Sequence, residues 1–394
     1  MKAKVAVLPG DGIGEEVMAQ ALRVMDQVSK QFDLKFETTH GLVGGAAFEK
    51  FGSHLPDETI ALCRQSDAIL FGSVGGPVSE MNLPKWRNCE ANSILSLRKN
   101  FKFNINLRPV KVIPELAELC PLRDEIINRG VDILFIRELL GDCYFGEHKT
   151  FKLEDGRRAA TDLAIYTEDQ VASVAHAAFR AAGKRRGKVT SVDKANVLDN
   201  SKLWREIVHE VAREYPEIKL EDMLVDNCAM QIIRDPSQFD VVVTTNMFGD
   251  ILSDAAAVLP GSLGLLASAS LNADGFGLFE PPGGSAQDIA GMGKANPIAQ
   301  ILSLALMLRF AFNREEAAQA VEAAVETSLK QGFRTSDIAG SKVQDKGASA
   351  GISTASGASG GADGSAGGAA LVDTVGMTDA IIKNLAARKA ALPV

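Results

Sequence analysis

Apolar positions along the chain follow two rhythms. Short runs rich in β-branched residues, Lys4–Leu8, Ala68–Phe71, Ile133–Ile136, Lys188–Val192 and Val241–Thr245, predict strands. Between them, longer segments place apolar residues on one helical face. These are Glu15–Phe32, Thr167–Gly183, Lys202–Tyr215 and Asn296–Phe312, which predict helices. Such alternation implies an α/β protein with a largely parallel sheet. Phe101–Val110 and Asp142–Phe151 look extended without flanking helices, suggesting an antiparallel patch or an arm. Gly347–Ala370 is dominated by Gly, Ala and Ser, with too little apolar surface to offset its ordering entropy. A flexible loop is therefore expected over 341–370, with a helix resuming over Met377–Leu385.

Bulk properties narrow the function classes. A chain of 394 residues accommodates two lobes or one large α/β unit, and 46% apolar with 23% charged residues is ordinary for a globular protein. The net charge of −8 argues against nucleic-acid binding, which needs a basic surface. Pro297–Phe312 is the most apolar long stretch, but it carries Gln300 and Ser303 and falls short of the ~20 residues of a membrane span. No membrane association is expected. Five cysteines without a C-x-x-C fit reduced thiols in a cytoplasmic enzyme, and the first apolar run is too short for a signal peptide.

Several groups of residues carry candidate chemistry. Asp250 and Asp254 lie one helical turn apart in Asn246–Asp254, and Asp226 is a third aspartate of interest. Two carboxylates side by side on a largely apolar helix repel each other, a conflict that a hard divalent cation would remove. An N-cap plus a solvated aspartate is the plain alternative. Arg98, Arg108 and Arg137 are permanent cations that hold carboxylates bidentately, and three of them in one cleft would bind a dicarboxylate. Tyr144 sits between glycines in Gly141–Gly146, and Lys194 directly follows a predicted strand. Either could face a ligand; core tyrosine and surface lysine are the alternatives. Gly10, Gly12 and Gly14 alternate rather than forming G-x-G-x-x-G, so they give no support to a Rossmann site but do suggest a tight turn into a helix. Glu280–Pro297 is a glycine-rich loop ending at a helix start, with Asn296 as N-cap and Pro297 at the first helical position. It could cradle a nucleotide, with Asp288 accepting from ribose hydroxyls; a plain long loop is the alternative.

Together, Leu95–Asn100, Asn106–Pro109, Arg137–Glu147, Asp193–Leu198, Asp226–Ile233, Asn246–Asp254 and Gly283–Pro297 resemble the β-decarboxylating dehydrogenases. That family includes isocitrate, homoisocitrate and isopropylmalate dehydrogenases, and the chain is most similar to the 3-isopropylmalate branch. The resemblance runs from Val5 to about Ala339 and resumes near Leu371. It implies an α/β, isopropylmalate dehydrogenase-like two-domain fold with a large mixed sheet, distinct from the Rossmann fold. Residues 1–103 plus 262–394 would form a discontinuous nucleotide-binding domain, and 104–261 a central domain with the dimer interface and arm.

The resemblance also implies roles. Arg98, Arg108 and Arg137 would hold the malate carboxylates, and Asp226, Asp250 and Asp254 would bind Mg²⁺ or Mn²⁺. Tyr144 and Lys194 would be the acid–base pair, assisted by Asp226. Gly284, Ser285, Ala286, Asp288 and Asn296 would form the adenosine side of an NAD site, with Gly76 to Glu90 along its nicotinamide side. Lys194 and Asp226 would reach in from the neighbouring subunit of a homodimer. The implied reaction is oxidation of 3-isopropylmalate and loss of its C3 carboxylate, giving 4-methyl-2-oxopentanoate for leucine biosynthesis.

Ile94 and Leu95 would supply apolar walls for the isopropyl group, at roughly 0.8 kcal/mol per buried methylene. A third carboxylate there would be desolvated without a partner, which disfavours isocitrate. Asp288 favours NAD, since it would repel a 2′-phosphate. Related substrates such as homoisocitrate, tartrate or another alkylmalate use the same machinery. A silent regulatory relative would leave the intact acid–base residues unexplained, and a metal-dependent hydrolase would leave the arginines unexplained. Gly284 stands where some members carry His. Gln287 replaces a frequent proline and is expected to loosen its loop slightly. The 341–370 insert lies outside the family pattern.

Overall fold

A computed structural model describes residues 2–340 and 369–389. The Gly/Ala/Ser-rich 341–370 segment lies, apart from its last two residues, outside the described residues. The strands are β1 (Lys2–Gly10), β2 (Lys35–His40), β3 (Ala68–Ser73), β4 (Ile105–Lys111), β5 (Asp132–Glu138), β6 (His148–Lys152), β7 (Arg158–Asp162), β8 (Lys188–Asp193), β9 (Lys219–Leu224), β10 (Val241–Thr244), β11 (Ser268–Leu271) and β12 (Gly277–Glu280). A short β13 (Phe333–Arg334) pairs β14 (Ala370–Leu371). The helices are α1 (Gly14–Phe32), α2 (Gly44–Phe51), α3 (Asp57–Arg64), α4 (Ser96–Phe101), α5 (Asp124–Ile127), α6 (Glu168–Gly183), α7 (Asp199–Ala212), α8 (Val225–Arg234), α9 (Asn246–Ala256), α10 (Ile298–Phe310), α11 (Glu315–Lys330) and α12 (Thr374–Lys389).

Ten strands form one sheet in the order β2-β1-β3-β12-β11-β4-β5-β10-β8-β9. The outer strands pair in parallel: β1 with β2 and β3, β3 with β12, and at the other end β5 with β10, β10 with β8, and β8 with β9. Between these groups, β12–β11, β11–β4 and β4–β5 are antiparallel. The sheet is therefore mixed. The chain builds one end with β1 to β3, crosses through β4 to the other end, and returns through β11 and β12. Both chain ends accordingly pack together, α1 lying against α12 and α10 against α11.

The five strands read from the sequence are all present, and they are strands with largely buried residues. The expected helices are present with shifted ends: α7 starts at Asp199 rather than Lys202, and α10 at Ile298 rather than Asn296. The extended reading of Asp142–Phe151 holds only from His148. Asp142 adopts a left-handed φ of 70° and its carboxylate accepts the Cys143 N–H at 2.9 Å, making a turn before the hairpin. Likewise Phe101 ends α4, and the strand begins at Ile105. The β6–β7 hairpin stands apart as a two-stranded sheet with most of its residues exposed. Such a hairpin is marginal in water without something to pack against.

The core lies on both faces of the sheet. Helix α10 is apolar all round and buried against β3, β11 and β12. A capping box at Thr167 and Gln170 starts α6, with the Thr167 N–H donating to Gln170 Oε1 at 2.9 Å. Trp204 of α7 is fully buried; its Nε1 donates to Ser191 Oγ at 3.2 Å, and its ring meets Tyr166 edge-on at 5.6 Å. Trp204→Ala should therefore cost about 3–5 kcal/mol of stability, read from urea unfolding. A loss below ~1 kcal/mol would mean the cavity collapses freely.

Candidate functional site

Arg108 on β4 and Arg137 on β5 face the same side of adjacent strands, two residues apart in register. Helix α9 supplies the partners. Arg108 Nη1 donates to Asp254 Oδ1 and to Ser253 Oγ, both at 2.8 Å, and its Nη2 lies 3.4 Å from Asp250 Oδ1. Arg137 Nη1 also bonds Asp250, while its Nε and Nη2 share Asn246 Oδ1 at 3.0 and 2.7 Å. The approach is close because Gly249 has no side chain: a Cβ there would lie 2.6 Å from Arg137 Cγ. Arg137 is pushed down to about 10, first by burial and then by the charges of Arg108 and Arg98, with Asp250 pulling the other way. Arg98, the third guanidinium, pairs instead with Glu280 at 3.2 Å.

Tyr144 bridges this cluster. Its hydroxyl donates to Asp250 Oδ2 at 3.1 Å, and Arg137 lies 5.8 Å from its ring. Burial and the Asp250 carboxylate raise its pKa, so the phenol stays protonated. Beneath it, Tyr166 donates to Asp142 Oδ2 at 3.2 Å and accepts the Asn246 N–H at 2.7 Å. Buried Glu138 accepts the Leu140 and Gly141 N–H groups at 2.8 and 2.7 Å, yet desolvation pushes its carboxyl up to about 7.

The glycine-rich loop comes against the turn after β1. Gly12 has φ 58°, and a Cβ there would meet the Ser285 carbonyl oxygen at 2.0 Å, so the alternating glycines serve backbone-to-backbone contact. Ile13 N–H donates to Ser285 O at 2.8 Å. Ala286 holds a left-handed φ of 39°, a strained conformation for a residue with a Cβ. Glu16 of α1 accepts from Gly291 N at 2.9 Å and Ala295 N at 3.2 Å. Gln287 does not loosen this loop as expected: its Nε2 donates to Gly75 O at 2.8 Å, a bond that no proline could make. Gly75 also lies beside Glu90 and Ser285, whose side-chain oxygens would be 3.7 and 3.8 Å from its Cβ. Asp288 is exposed, and a Cβ at Gly283 or Gly284 would meet only open space.

Asn296 caps α10 as expected, with Pro297 already in helical conformation at φ −83° and ψ −7°. Its Oδ1 accepts the Ile298 N–H at 3.0 Å, and its Nδ2 donates to Asp337 at 3.0 Å. A cleft of about 490 Å³ runs from Arg108, Ser253 and Asp254 past Val258 and Leu263 to Pro282, joining the charged cluster to this loop. Ile94 packs within an apolar cluster containing Trp86 and Leu97, while Leu95 is half-buried. Gly76 packs on the Trp86 ring.

Lys194 follows β8 and Asp226 opens α8. The two pair with each other, Nζ to Oδ1 at 2.5 Å, and that bond holds Asp226 below the usual carboxylate range. Among the described residues no three His, Cys, Asp or Glu side chains gather closely enough for a metal site. Asp226 is thus not brought to Asp250 and Asp254 within one chain. The donor set still suits a hard cation: two carboxylates on one helix face, with Asp254 69% exposed and turned to the cleft. It lacks a third ligand. Near these residues, Met230 and Ile233 on α8, and Ile251 and Val258 on and just after α9, leave an exposed apolar face.

Sequence reasoning gave no role to Glu16, Asn106, Asn246, Ser253 or Asp337. Asn106, Asn246 and Ser253 stood inside quoted motifs and Glu16 inside an expected helix, but nothing in spacing alone says which loop or side chain they reach. Asp337 accepts from Ser262 Oγ at 2.5 Å as well as from Asn296, a convergence of three distant segments that no local signal reveals.

The sequence pattern of the isocitrate/isopropylmalate dehydrogenase family matches residues 4–354. The chain is 54% identical over 336 residues to the 3-isopropylmalate dehydrogenase of Yersinia pestis, covering 85% of this chain and 92% of that one. It is 53% identical over 335 residues to the Escherichia coli K12 protein of the same name, again covering 85% and 92%. Isocitrate dehydrogenase from Methylococcus capsulatus superposes with a TM-score of 0.78 at 32% identity, over 98% of this chain and 99% of that one. A β-decarboxylating dehydrogenase from Thermococcus kodakarensis, in its apo form, gives 0.73 at 33% identity, over 97% and 96%. On sequence, on fold and across most of its length, the chain belongs to the isocitrate/isopropylmalate dehydrogenase family.

Proposed function

We propose that this protein oxidises and decarboxylates 3-isopropylmalate with NAD and Mg²⁺ or Mn²⁺, as a homodimer in the cytoplasm. The observation that carries the reading is the gathering of Arg108, Arg137 and Tyr144 around the Asp250–Asp254 pair. Relatives at 53–54% identity bear the 3-isopropylmalate dehydrogenase name, while the isocitrate dehydrogenase neighbour is at 32%. Leu95 and Ile94, directly before α4 and Arg98, would offer an apolar boundary suited to an isopropyl group. Among the described residues no helix is long and apolar enough to cross a membrane.

The arginines would bind and orient the two carboxylates of the substrate. Bound NAD would supply the hydride acceptor, and a divalent ion held by Asp250, Asp254 and Asp226 of the partner subunit would supply Lewis-acid polarisation. Lys194 of the partner subunit, paired there with Asp226, would take the C2 hydroxyl proton. Tyr144, kept protonated, would deliver a proton to C3 as the carboxylate there leaves as carbon dioxide. Gly284, Ser285, Ala286, Asp288 and Asn296 would line the adenosine end, and Gly76 to Glu90 the nicotinamide end. Residues 1–103 with 262–394 would form the nucleotide-binding domain, and 104–261 the central one.

Two deficits support the dimer. The cation pair lacks a third carboxylate, and the α8–α9 face exposes Met230, Ile233, Ile251 and Val258 beside it. A second copy related by a two-fold axis would cover that face and offer Asp226 and Lys194 across it. The exposed hairpin, with Phe151 and Leu153, also calls for a partner.

The primary experiment follows NADH absorbance across a panel of 2-hydroxy acids; 3-isopropylmalate should be the fastest, and faster turnover of isocitrate would refute the assignment. Lys194→Ala should lower kcat by about 10²–10⁴-fold; near-normal turnover would remove Lys194 from the chemistry. Chelation with EDTA should abolish activity, and Mg²⁺ or Mn²⁺ should restore it; indifference to chelator would exclude the metal role. Ile251→Asp should give a folded monomer by sedimentation and an inactive one by assay, whereas an active monomer would contradict shared sites.

A further inference from the structure

Asp193, the last residue of β8, has no exposure to solvent. Arg205 of α7 grips its carboxylate with two parallel bonds: Nε donates to Oδ2 at 2.9 Å and Nη2 to Oδ1 at 2.8 Å. Asp193 Oδ1 also accepts the Ala195 N–H at 2.9 Å, so the side chain bonds its own backbone two residues on and closes a turn around Lys194. On the other side of that turn, Lys194 O accepts the Val197 and Leu198 N–H groups at 2.9 and 3.0 Å. The peptide unit between Lys194 and Ala195 is therefore fixed at both its carbonyl and its N–H.

A buried ion pair adds little net stability over apolar residues of the same volume, because desolvation offsets the attraction. What this one adds is direction. A planar guanidinium fork sets both carboxylate oxygens, and one of those oxygens sets the turn. The Lys194 side chain is a flexible four-carbon stem, so its reach depends on where the backbone launches it. Its Nζ meets Asp226 Oδ1, and Asp226 follows closely on Leu224, which is in register with Asp193. Strand end, turn and the start of α8 are thus held at one level of the sheet, with α7 supplying the fixed point. Asp193 is closed off from any ligand by its burial, so whatever it does for the reaction it does through Lys194.

We propose that Asp193 and Arg205 are positioning residues for Lys194, an ion pair between β8 and α7 that sets the direction in which the lysine leaves its own subunit for the partner's site. This rests on the proposed dehydrogenase reading and adds to it the device that aims the proton acceptor.

The test uses the full-length protein with Mn²⁺, NAD and 3-isopropylmalate. Both KM values and kcat are measured, together with hydrogen exchange of the backbone amides, for wild type, Arg205→Lys, Arg205→Met, His209→Ala, Lys194→Ala and Lys194→Ala combined with Arg205→Lys. Arg205→Lys keeps the charge but not the fork, so kcat should fall roughly tenfold with both KM values within about twofold. Arg205→Met should lower kcat about 100-fold; should it not fold with Asp193 left unpaired, Arg205→Lys carries the comparison. In Arg205→Lys the amides of Ala195, Val197 and Leu198 should exchange at least ~10-fold faster, while Val189–Val192 stay protected as in wild type. Because Arg205 acts through Lys194, Arg205→Lys should change the residual rate of Lys194→Ala by less than ~2-fold. His209→Ala removes the bond from the next turn of α7 to Asp222 at 2.8 Å and should leave both kcat and the exchange of the turn unchanged. The proposal is overturned if Arg205→Lys turns over and exchanges as wild type does, or if it lowers the residual rate of Lys194→Ala by as much as it lowers the wild-type rate. It is equally overturned if His209→Ala reproduces the effects of Arg205→Lys, the sign of a general loosening of α7. Failure of the wild type to oxidise 3-isopropylmalate would strike the functional reading instead; the exchange comparison would then still decide whether the pair holds the turn.

Discussion

Arginine and aspartate neutralise each other at the centre of the sheet, and the rest of the site is arranged around that compensation. Arg108 holds Asp254 and approaches Asp250, while Arg137 holds Asp250 from a buried position. Without the carboxylates, Arg108 and Arg137 would repel each other; without the arginines, two aspartates on one helix face would do the same. A buried charge set of this kind is costly when one partner is removed and stable when all are present. A dicarboxylate and a dication together carry no net charge, so both can enter without unbalancing it. The arginines would turn to the carboxylates and the aspartates to the cation.

The fold serves this by bringing residues from distant segments to adjacent positions. Antiparallel pairing of β4 with β5 sets Arg108 and Arg137 on one side of neighbouring strands. Helix α9 follows β10, the other neighbour of β5, so its first turns lie over the same arginines, and Gly249 permits the contact. The return strands β11 and β12 deliver the glycine-rich loop to the other side of the cleft. Lys194 and Asp226 are held together, apart from the cluster, on a surface whose apolar neighbours are uncovered.

Much of this was legible in the sequence, though unevenly. Strands with buried faces, such as Ala68–Phe71 and Val241–Thr245, announce themselves as unbroken apolar runs. Edge strands β2 and β9 do not, because Lys35–His40 and Lys219–Leu224 mix charged and apolar residues on exposed or half-buried positions. Strands β11 and β12 are four residues each, too short for a period to register. In the site, residue types pointed to carboxylate binding and to hard-cation chemistry, and the family resemblance supplied the roles. The contacts that hold those residues in place were not readable. Gln287 looked like a loosening substitution because its reach to Gly75 crosses more than two hundred positions. Asn246 and Asp337 act through partners chosen by the folded arrangement rather than by spacing.

If internal neutralisation is what the site trades for its ligands, cation and hydroxyacid should help each other bind. The direct measurement is Mn²⁺ affinity by calorimetry, with and without saturating 3-isopropylmalate. The account predicts weak Mn²⁺ binding alone, because Asp250 and Asp254 are engaged by arginines, and at least ~10-fold tighter binding with the hydroxyacid present. Equal affinity under both conditions would contradict it.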